Sequence, residues 1–400
     1  MASIVQRSKS FSVVYTIWDG EKKKQKWETY HSYADAVKRK EQLEIVHRAE
    51  KERSNYRAGT LAKFMEEYVA LYGRLHWSCS TYTSNTALIQ NYIIPFMGTM
   101  RLTEFSPRTI SLLYGQMLDR LHFIKPAYGE KPITPQLLSS IHKLLHCAFE
   151  QAVLWEYIDK NPFHGAKIPH LLPKEVSMLS AEEIKMQLEN CDNLVLAVGI
   201  HLAFAGSLRK GEILGLTWDD VDFEAGTVSV TKTLKRVRKD ALEALDGKDI
   251  LYQFSPVLGE GRTVTVLKKP KTRSSIRTVY LPDRLLEVLR DWRRTQRPLK
   301  RGQPDLLLRY SNGRPLQEET LPRLLEKQLL ALSLPRVTFH SLRHSSITYK
   351  LILTGGNIKA VQGDSGHAQA EMITERYGHV IDSCRKQCAQ SFEKEFYSMM

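Results

Sequence analysis

The chain has 400 residues, enough for two or three domains that each bury a core. With 42% hydrophobic and 26% charged residues it has ordinary globular composition, which speaks against a disordered chain. Lys and Arg outnumber Asp and Glu by 58 to 44, giving a net charge of +14 and a pI near 9.4, a balance that favours polyanionic partners, nucleic acid first.

The N-terminus, MASIVQRSKS, lacks an apolar signal region, and no run of 18 apolar residues occurs anywhere. The expectation is a soluble, cytoplasmic protein with no membrane segment. Residues 11–30 read as two or three short strands: FSVVYTIW, a turn at Asp19 and Gly20, a Lys-rich hairpin, then KWETY. A helix is expected from about Ser32, with Ala34, Val37, Leu43 and Val46 as a partial apolar stripe. The polar stretch 50–58 reads as a linker.

From about residue 60 to 163 the pattern is helical. TLAKFMEEYVALYG places Leu61, Phe64, Met65, Tyr68, Val69 and Tyr72 on one 3.6-residue face. STYTSNTALIQNYIIPFMG opens on capping residues and is expected to stop near Pro95 and Gly98. SPRTISLLYGQMLDRL begins with Ser106 followed by Pro107 at the first helical position. TPQLLSSIHKLLHCAFEQAVLWEYI is a long amphipathic helix, closed by Asn161 and Pro162. A Pro-flanked linker with Pro169 and Pro173 follows, and a capping box over Ser180 to Glu183 opens the next domain. Cys79, Cys147, Cys191, Cys384 and Cys388 are an odd number without paired CxxC units, which points to reduced thiols.

The chemistry-bearing residues are concentrated further on. His340 and Arg343 stand at i, i+3, so a helix there points both from one face. That sets a proton-transfer group beside a fixed cation with bidentate reach to phosphate oxygens. Gly366 and His367 follow, and Tyr377, a phenol able to act as a nucleophile, stands in Glu-Arg-Tyr-Gly-His. An i, i+3 His/Arg pair alone is usually a solvated helix face. The ordered set of His, Arg, His and Tyr without a carboxylate cluster suits attack on a phosphodiester without a metal. Upstream, AGSLRKGEILGLTWDDVDFEAGTVSV supplies Arg209 and Glu212, and reads beyond them as strand, turn and strand through Glu224, Ala225 and Gly226. A second hairpin ends in KKPKTRSSIRTVYLP, and residues 235–262 read as an insertion or extended loop with a basic start at Lys235, Arg236, Arg238 and Lys239.

In the identity, order and approximate spacing of Arg209 with Glu212, His340 with Arg343, His367 and Tyr377, the chain resembles the tyrosine recombinase, or phage-type integrase, family. The resemblance implies a multidomain α+β fold. Its parts would be a small sheet-and-helix domain at 1–57 that binds arm-type DNA sites, a helical core-binding (SAM-like) domain at 58–168, and a catalytic domain at 174–400. The last would be mainly helical with a small antiparallel sheet. It implies a site-specific recombinase that integrates and excises a mobile element through a 3′-phosphotyrosine. Tyr377 would be the nucleophile, with Arg209 and Arg343 on the non-bridging oxygens, His340 as base, His367 on the scissile phosphate and Glu212 in support. Lys271 would be the general acid, with Lys268 and Lys269 as alternatives. Lys22, Lys23, Lys24, Lys26, Lys235 and Arg236 are the expected DNA contacts. The implied partners are double-stranded DNA with core-type and arm-type sites, a homotetramer on that DNA, and a small excisionase or DNA-bending protein; no metal and no ATP are implied.

The chain departs from the family pattern in two places. It has Asp364 and Ser365 ahead of Gly366 and His367 where a Leu is usual, and His367 and Tyr377 stand ten residues apart, one more than the commonest interval. Tyr349 and Tyr397 are the rival phenols. Cys384, Cys388, Phe392 and Phe396 recur every four residues on a last helix that would dock either on its own domain or on a neighbour. The alternatives in other classes are a DNA-binding regulator on the same fold and a type IB topoisomerase.

Overall fold

A computed structural model describes residues 3–7, 10–19, 22–57, 59–119, 121–123, 130–168, 177–255, 261–270, 272–299, 302–366, 389–390 and 392–395. The chain divides into two compact units, one comprising Met1–Trp77 and Thr81–Leu172, the other Ser78–Ser80 and Pro173–Met400. No helix among the described residues is long and apolar enough to cross a membrane.

The first unit opens with β1 (Ser3–Arg7), β2 (Ser10–Asp19) and β3 (Lys22–Tyr30), an antiparallel sheet in the order β1-β2-β3, followed by α1 (Tyr33–Arg57). Val13 and Ala36 are fully buried between sheet and helix, with Ile4, Phe11, Tyr15, Tyr30 and Leu43 around them. The Lys-rich hairpin is formed by β2 and β3, with Lys24 opposite Ile17 and Lys26 opposite Tyr15. Two details differ from expectation. Ala36, not the exposed Ala34, carries the helix onto the sheet. The expected linker at 50–58 is helical as far as Arg57, because EKERSNYR contains neither Gly nor Pro to stop it. Glu28 accepts from Arg39 Nε at 2.9 Å and from the Tyr15 hydroxyl at 2.5 Å, and those hydrogen bonds, Arg39 first, hold its carboxyl down at about 2.

The helical part of this unit begins with α2 (Leu61–Glu67), which widens into a π-type turn at Tyr68–Gly73 before α3 (Arg74–His76). Next come α4 (Cys79–Leu88), a second π-type turn at Ile89–Ile93 and α5 (Ile94–Met97). The helix ends at Met97 with Gly98 as its C-cap, as expected, and carries Pro95 within its last turn. The wide turn just before it accommodates a residue that has no N–H to donate. Then follow α6 (Pro107–Asp119), the short pair β4 (Leu121–Phe123) and β5 (Glu130–Pro132), and α7 (Pro135–Leu154). Leu61, Phe64, Met65 and Tyr68 are buried as their spacing requires. They surround a ring cluster in which Phe149 meets Phe163 at 4.7 Å and Phe105 at 5.1 Å. Asn161, well beyond the end of α7, ties the chain back to it by donating from Nδ2 to the His146 carbonyl at 3.0 Å and to Glu150 Oε1 at 2.6 Å.

The second unit holds α8 (Ala181–Glu189), α9 (Leu194–Phe204) and α10 (Lys210–Gly215), then β6 (Val221–Asp222), β7 (Thr227–Val230) and β8 (Thr233–Arg238). It continues through α11 (Lys239–Ala244), β9 (Ile250–Gln253), β10 (Thr263–Lys268) and β11 (Arg277–Tyr280). It ends its described core with α12 (Asp283–Thr295), α13 (Thr320–Ala331), α14 (Phe339–Leu353) and α15 (Ile358–Ser365). There are two small antiparallel sheets, β11-β7-β6 and β8-β10-β9. The presumed loop 235–262 is thus largely ordered: it supplies the end of β8, α11 and β9. The segment expected to end a hairpin instead leaves one sheet with β10 and enters the other with β11. The largely apolar α9, with His201 as its one polar residue, lies at the centre, and a Cβ on Gly199 would stand 3.0 Å from the Leu321 side chain on α13, so the bare glycine lets that helix pack closely. Residues 389–390 and 392–395 are helical; Phe392 is exposed, and Cys384, Cys388 and Phe396 lie outside the described residues.

Phe149→Ala, which empties the centre of the ring cluster, is expected to lower the unfolding free energy by about 3–5 kcal/mol, measurable by urea titration.

Candidate active site

The site is assembled where three segments of the second unit meet: the turn after α9, the buried face of α14 and the end of α15. The first of these is strained. Ser207 has φ of +54°, a left-handed conformation that costs a non-glycine residue about 1–2 kcal/mol. It is fully buried, its hydroxyl lies 2.6 Å from that of Ser346 on α14, and its carbonyl accepts from Arg343 Nη1. The turn delivers Arg209 to the N-cap of α10, where the Arg209 backbone N–H donates to Glu212 Oε2 at 2.8 Å.

Arg343 has 1% of its surface exposed and also donates from Nη2 to the Ser365 carbonyl. Arg209 is about one third exposed and donates from Nη1 to Glu212 Oε1 at 2.8 Å and from Nη2 to the Gly366 carbonyl at 3.2 Å. A third guanidinium completes the group. Arg277, at the start of β11, donates from Nε to the Asp364 carbonyl at 2.7 Å, and from Nη1 and Nη2 to the two oxygens of Glu212 at 3.2 and 2.9 Å. Three arginines from three elements therefore take three successive carbonyls at the C-terminal end of α15, where a helix leaves carbonyls unsatisfied and carries partial negative charge.

Glu212 is the buried counter-charge. Burial pushes its carboxyl up, but the hydrogen bonds and charges of Arg277, then Arg209, outweigh that and hold it below the usual glutamate range. Gly366 is required on two counts: its φ is +61°, and a Cβ there would lie 3.0 Å from Arg277 Cδ and 3.1 Å from the Ser274 carbonyl. The two residues ahead of it explain one departure from the family pattern. Asp364 pairs with Lys350 of α14 at 2.6 Å, and Ser365 is fully buried with its carbonyl on Arg343.

His340 begins the exposed end of α14, where Thr338 caps the helix by accepting from the Ser341 N–H at 3.3 Å. Its ring lies 4.6 Å from that of the buried His344, nearly perpendicular to it, so packing sets its orientation. It borders an open cleft of about 320 Å³ with Lys210, Glu326, Arg336 and Phe339.

The structure thus brings together Arg209, Glu212 and Arg343, and His340 stands exposed on the helix that carries the buried Arg343. Lys271, His367 and Tyr377 lie outside the described residues, as does the rival Tyr397. Among the other candidates, Lys268 is buried at the end of β10, Lys269 follows it exposed, and Tyr349 packs 5.7 Å from Phe204. Lys235 and Arg236 lie on β8 and share Glu318: Lys235 Nζ is 3.9 Å from it, and the Arg236 N–H donates to it at 2.5 Å. Lys24 and Lys26 are exposed on β3; Lys22 and Lys23 belong to the same strand.

Arg277 and His344 were missed from the sequence. The signal for Arg277 was its place two residues before Val279 of the core, which puts an arginine on the inward face of a strand. His344 follows His340 by one helical turn.

A mainly helical unit with two small sheets among its described residues, and with arginines gathered around one buried carboxylate, has the fold of a tyrosine recombinase catalytic domain. The model of the phage integrase family matches residues 174–383, more than half the chain, and that of the phage integrase N-terminal SAM-like domain matches residues 60–115. The chain belongs to the phage integrase family and is a site-specific DNA recombinase, an enzyme that cleaves and rejoins DNA. A relative from Caldanaerobacter subterraneus subsp. tengcongensis, described as tyrosine recombinase XerC-like, is 27% identical over 352 residues, 84% of this chain and 83% of its own length. The Tn1549 transposon integrase, solved in complex with a circular intermediate DNA, shares the fold with a TM-score of 0.64 at 18% identity, over 83% of this chain and 99% of that one. Lambda integrase, solved as a tetramer bound to a Holliday junction, matches with a TM-score of 0.52 at 15% identity, over 92% of this chain and 96% of that one.

The depressed Glu212 carboxyl makes a pH prediction. A carboxylate stabilised by folding contributes stability above its unfolded pKa and loses it as pH falls through the lower folded value. Wild type should therefore be more stable than Glu212→Gln at neutral pH, with the gap narrowing as pH drops below about 4. Thermal melts of both proteins across that range would check it.

Proposed function

We propose that this recombinase integrates and excises a mobile DNA element by way of a 3′-phosphotyrosine formed at Tyr377. The observation that carries the reading is the convergence of Arg209 and Arg343 on the peptide that leads directly into His367, with His340 on the same helix as Arg343. In the proposed step the Tyr377 oxygen attacks the scissile phosphorus, the 5′-oxygen leaves and takes a proton from Lys271, and a covalent 3′-phosphotyrosine results. A free phenol has a pKa near 10, so His340 accepts its proton while nearby cations favour the phenolate. Arg209 and Arg343 bring fixed positive charge to the non-bridging oxygens, His367 hydrogen-bonds one of them, and Glu212 holds Arg209. The phosphotyrosine keeps the energy of the broken bond, so a new 5′-hydroxyl rejoins the strand without ATP. The donors at hand are cations, imidazoles and a phenol, and the reaction is proposed to need no metal.

Two duplexes cut on both strands imply four protomers, an assembly supported by the tetrameric form in which lambda integrase was solved. The Tn1549 transposon integrase complex supports DNA, here proposed to be double-stranded, as the substrate and a transposable element as the setting. Core-type sites would be bound by the helical part of the first unit. Arm-type sites would meet the lysine-rich β3, with Lys22, Lys23, Lys24 and Lys26 on phosphates, and Lys235 and Arg236 would add contacts from β8. A small excisionase or DNA-bending protein would set direction, and the working compartment is the cytoplasm.

A nicked suicide duplex carrying an element end tests the chemistry. Wild type in EDTA should form a protein–DNA adduct that survives a denaturing gel, and Tyr377→Phe should form none. Arg209→Gln should slow adduct formation by about 10²–10³-fold. An adduct retained by Tyr377→Phe would move the nucleophile elsewhere, and one lost in EDTA would restore a metal to the mechanism.

A further inference from the structure

We propose that Arg277 is a positioning residue for strand cleavage, acting through Glu212 and the end of α15 to fix the Arg209 head and the peptide entering His367. The inference rests on Arg209 being a phosphate-binding group, as read above. Arg277 is no candidate for touching DNA itself. Its side chain is 6% exposed, and its head is turned onto Glu212, the Asp364 carbonyl and, from Nη1 at 3.1 Å, the Ser275 carbonyl.

Glu212 is shared. Oε1 accepts from Arg209 Nη1 and Arg277 Nη1, and Oε2 from the Arg209 backbone N–H and Arg277 Nη2. Each carboxylate oxygen is thus held between the two arginines, which fixes the carboxylate plane and, with it, the direction of the Arg209 head. On its other side Arg277 caps Asp364, whose neighbours Ser365 and Gly366 are capped by Arg343 and Arg209. Its stem runs so close to Gly366 that a Cβ there would meet it. One residue therefore couples the carboxylate that aims Arg209 to the turn from which His367 departs.

Only a guanidinium can do this, because the task needs a two-pronged grip on a carboxylate and a third donor pointing elsewhere. A lysine keeps the charge and loses the grip. Without Arg277, Glu212 would draw Arg209 more closely to itself and the α15 end would lose one of three anchors. Misplacing a reacting group by about 1 Å can cost about a hundredfold in rate, and Arg277→Gln should lose about ten- to a hundredfold.

The test is single-turnover cleavage of the nicked suicide duplex at saturating DNA by the full chain, with DNA affinity measured in parallel by fluorescence anisotropy. Wild type, Arg277→Gln, Arg277→Lys, Arg209→Lys and the double variant Arg209→Lys/Arg277→Gln are compared. The expected result is a slower cleavage rate for both Arg277 variants with DNA affinity within about threefold of wild type. The double variant should be no slower than Arg209→Lys alone, because residues acting as a unit have non-additive effects. Losses that multiply in the double variant, or a lowered melting temperature with an unchanged cleavage rate in the single ones, would overturn the proposal. Should Arg277→Gln not fold, Arg277→Lys and its own double with Arg209→Lys carry the same comparison. Adduct formation by wild type and its absence in Tyr377→Phe report separately on the underlying reading, so the two can fail independently.

Discussion

The catalytic unit depends on one electrostatic arrangement: Arg209, Arg277 and Arg343 anchored on the consecutive carbonyls of Asp364, Ser365 and Gly366, with Glu212 between two of them. Three guanidiniums brought so near one another repel, and burying them removes the water that would screen that repulsion. The structure offsets this with a carboxylate and with the negative end of a helix. Arg343, almost wholly buried, donates to the backbone carbonyls of Ser207 and Ser365, which makes it as much a bolt between the turn after α9 and the end of α15 as a fixed cation.

The rest of the second unit holds these elements at the required distances. The apolar α9 places the strained turn at Ser207, and α14 answers it with Ser346 and Arg343 from successive turns of one face. Ile347 and Leu351 of α14 pack on Val361 of α15, while Lys350 and Asp364 pair at the edge of that contact. Ser345 accepts from the Leu179 N–H at 3.1 Å, tying the start of the unit to the same helix. α14 therefore presents one polar residue after another to a different neighbour, and its buried serines read as joints rather than as substrate contacts.

How much of this was legible in the sequence follows from the range of each signal. His340 with Arg343, and Arg209 with Glu212, are local pairs whose helical spacing is visible in the chain; the structure pairs Arg209 with Glu212 and puts His340 and Arg343 on one helix. The apolar face from Leu61 to Tyr68 is a periodicity, and it is buried as read. Arg277 escaped because its partners lie 65 and 87 residues away, and nothing local distinguishes it from the Arg of any strand start. The interval 235–262 looked like a loop because its strands are short and one pairs across α11, a register that no local pattern announces. The stop expected near Pro95 and Gly98 falls at Met97, because Gly98 is a local terminator that needs no distant partner.

The charge balance of the arginine cluster has a consequence for what the site binds best. Among the described residues of the cluster, three guanidiniums against one carboxylate leave an excess of two positive charges. A phosphodiester at rest carries one negative charge, whereas the five-coordinate species made when a phenolate adds to it carries two. In the reaction proposed here, the fixed charges would be matched to the strained intermediate geometry and mismatched, by one unit, to the DNA as it first arrives. Attraction that grows as bonds change lowers a barrier, whereas attraction already complete in the bound substrate does not. In that reaction the buried glutamate would do more than steady its neighbours: by cancelling one cation of three, it would tune the cluster to the transition state rather than to the duplex.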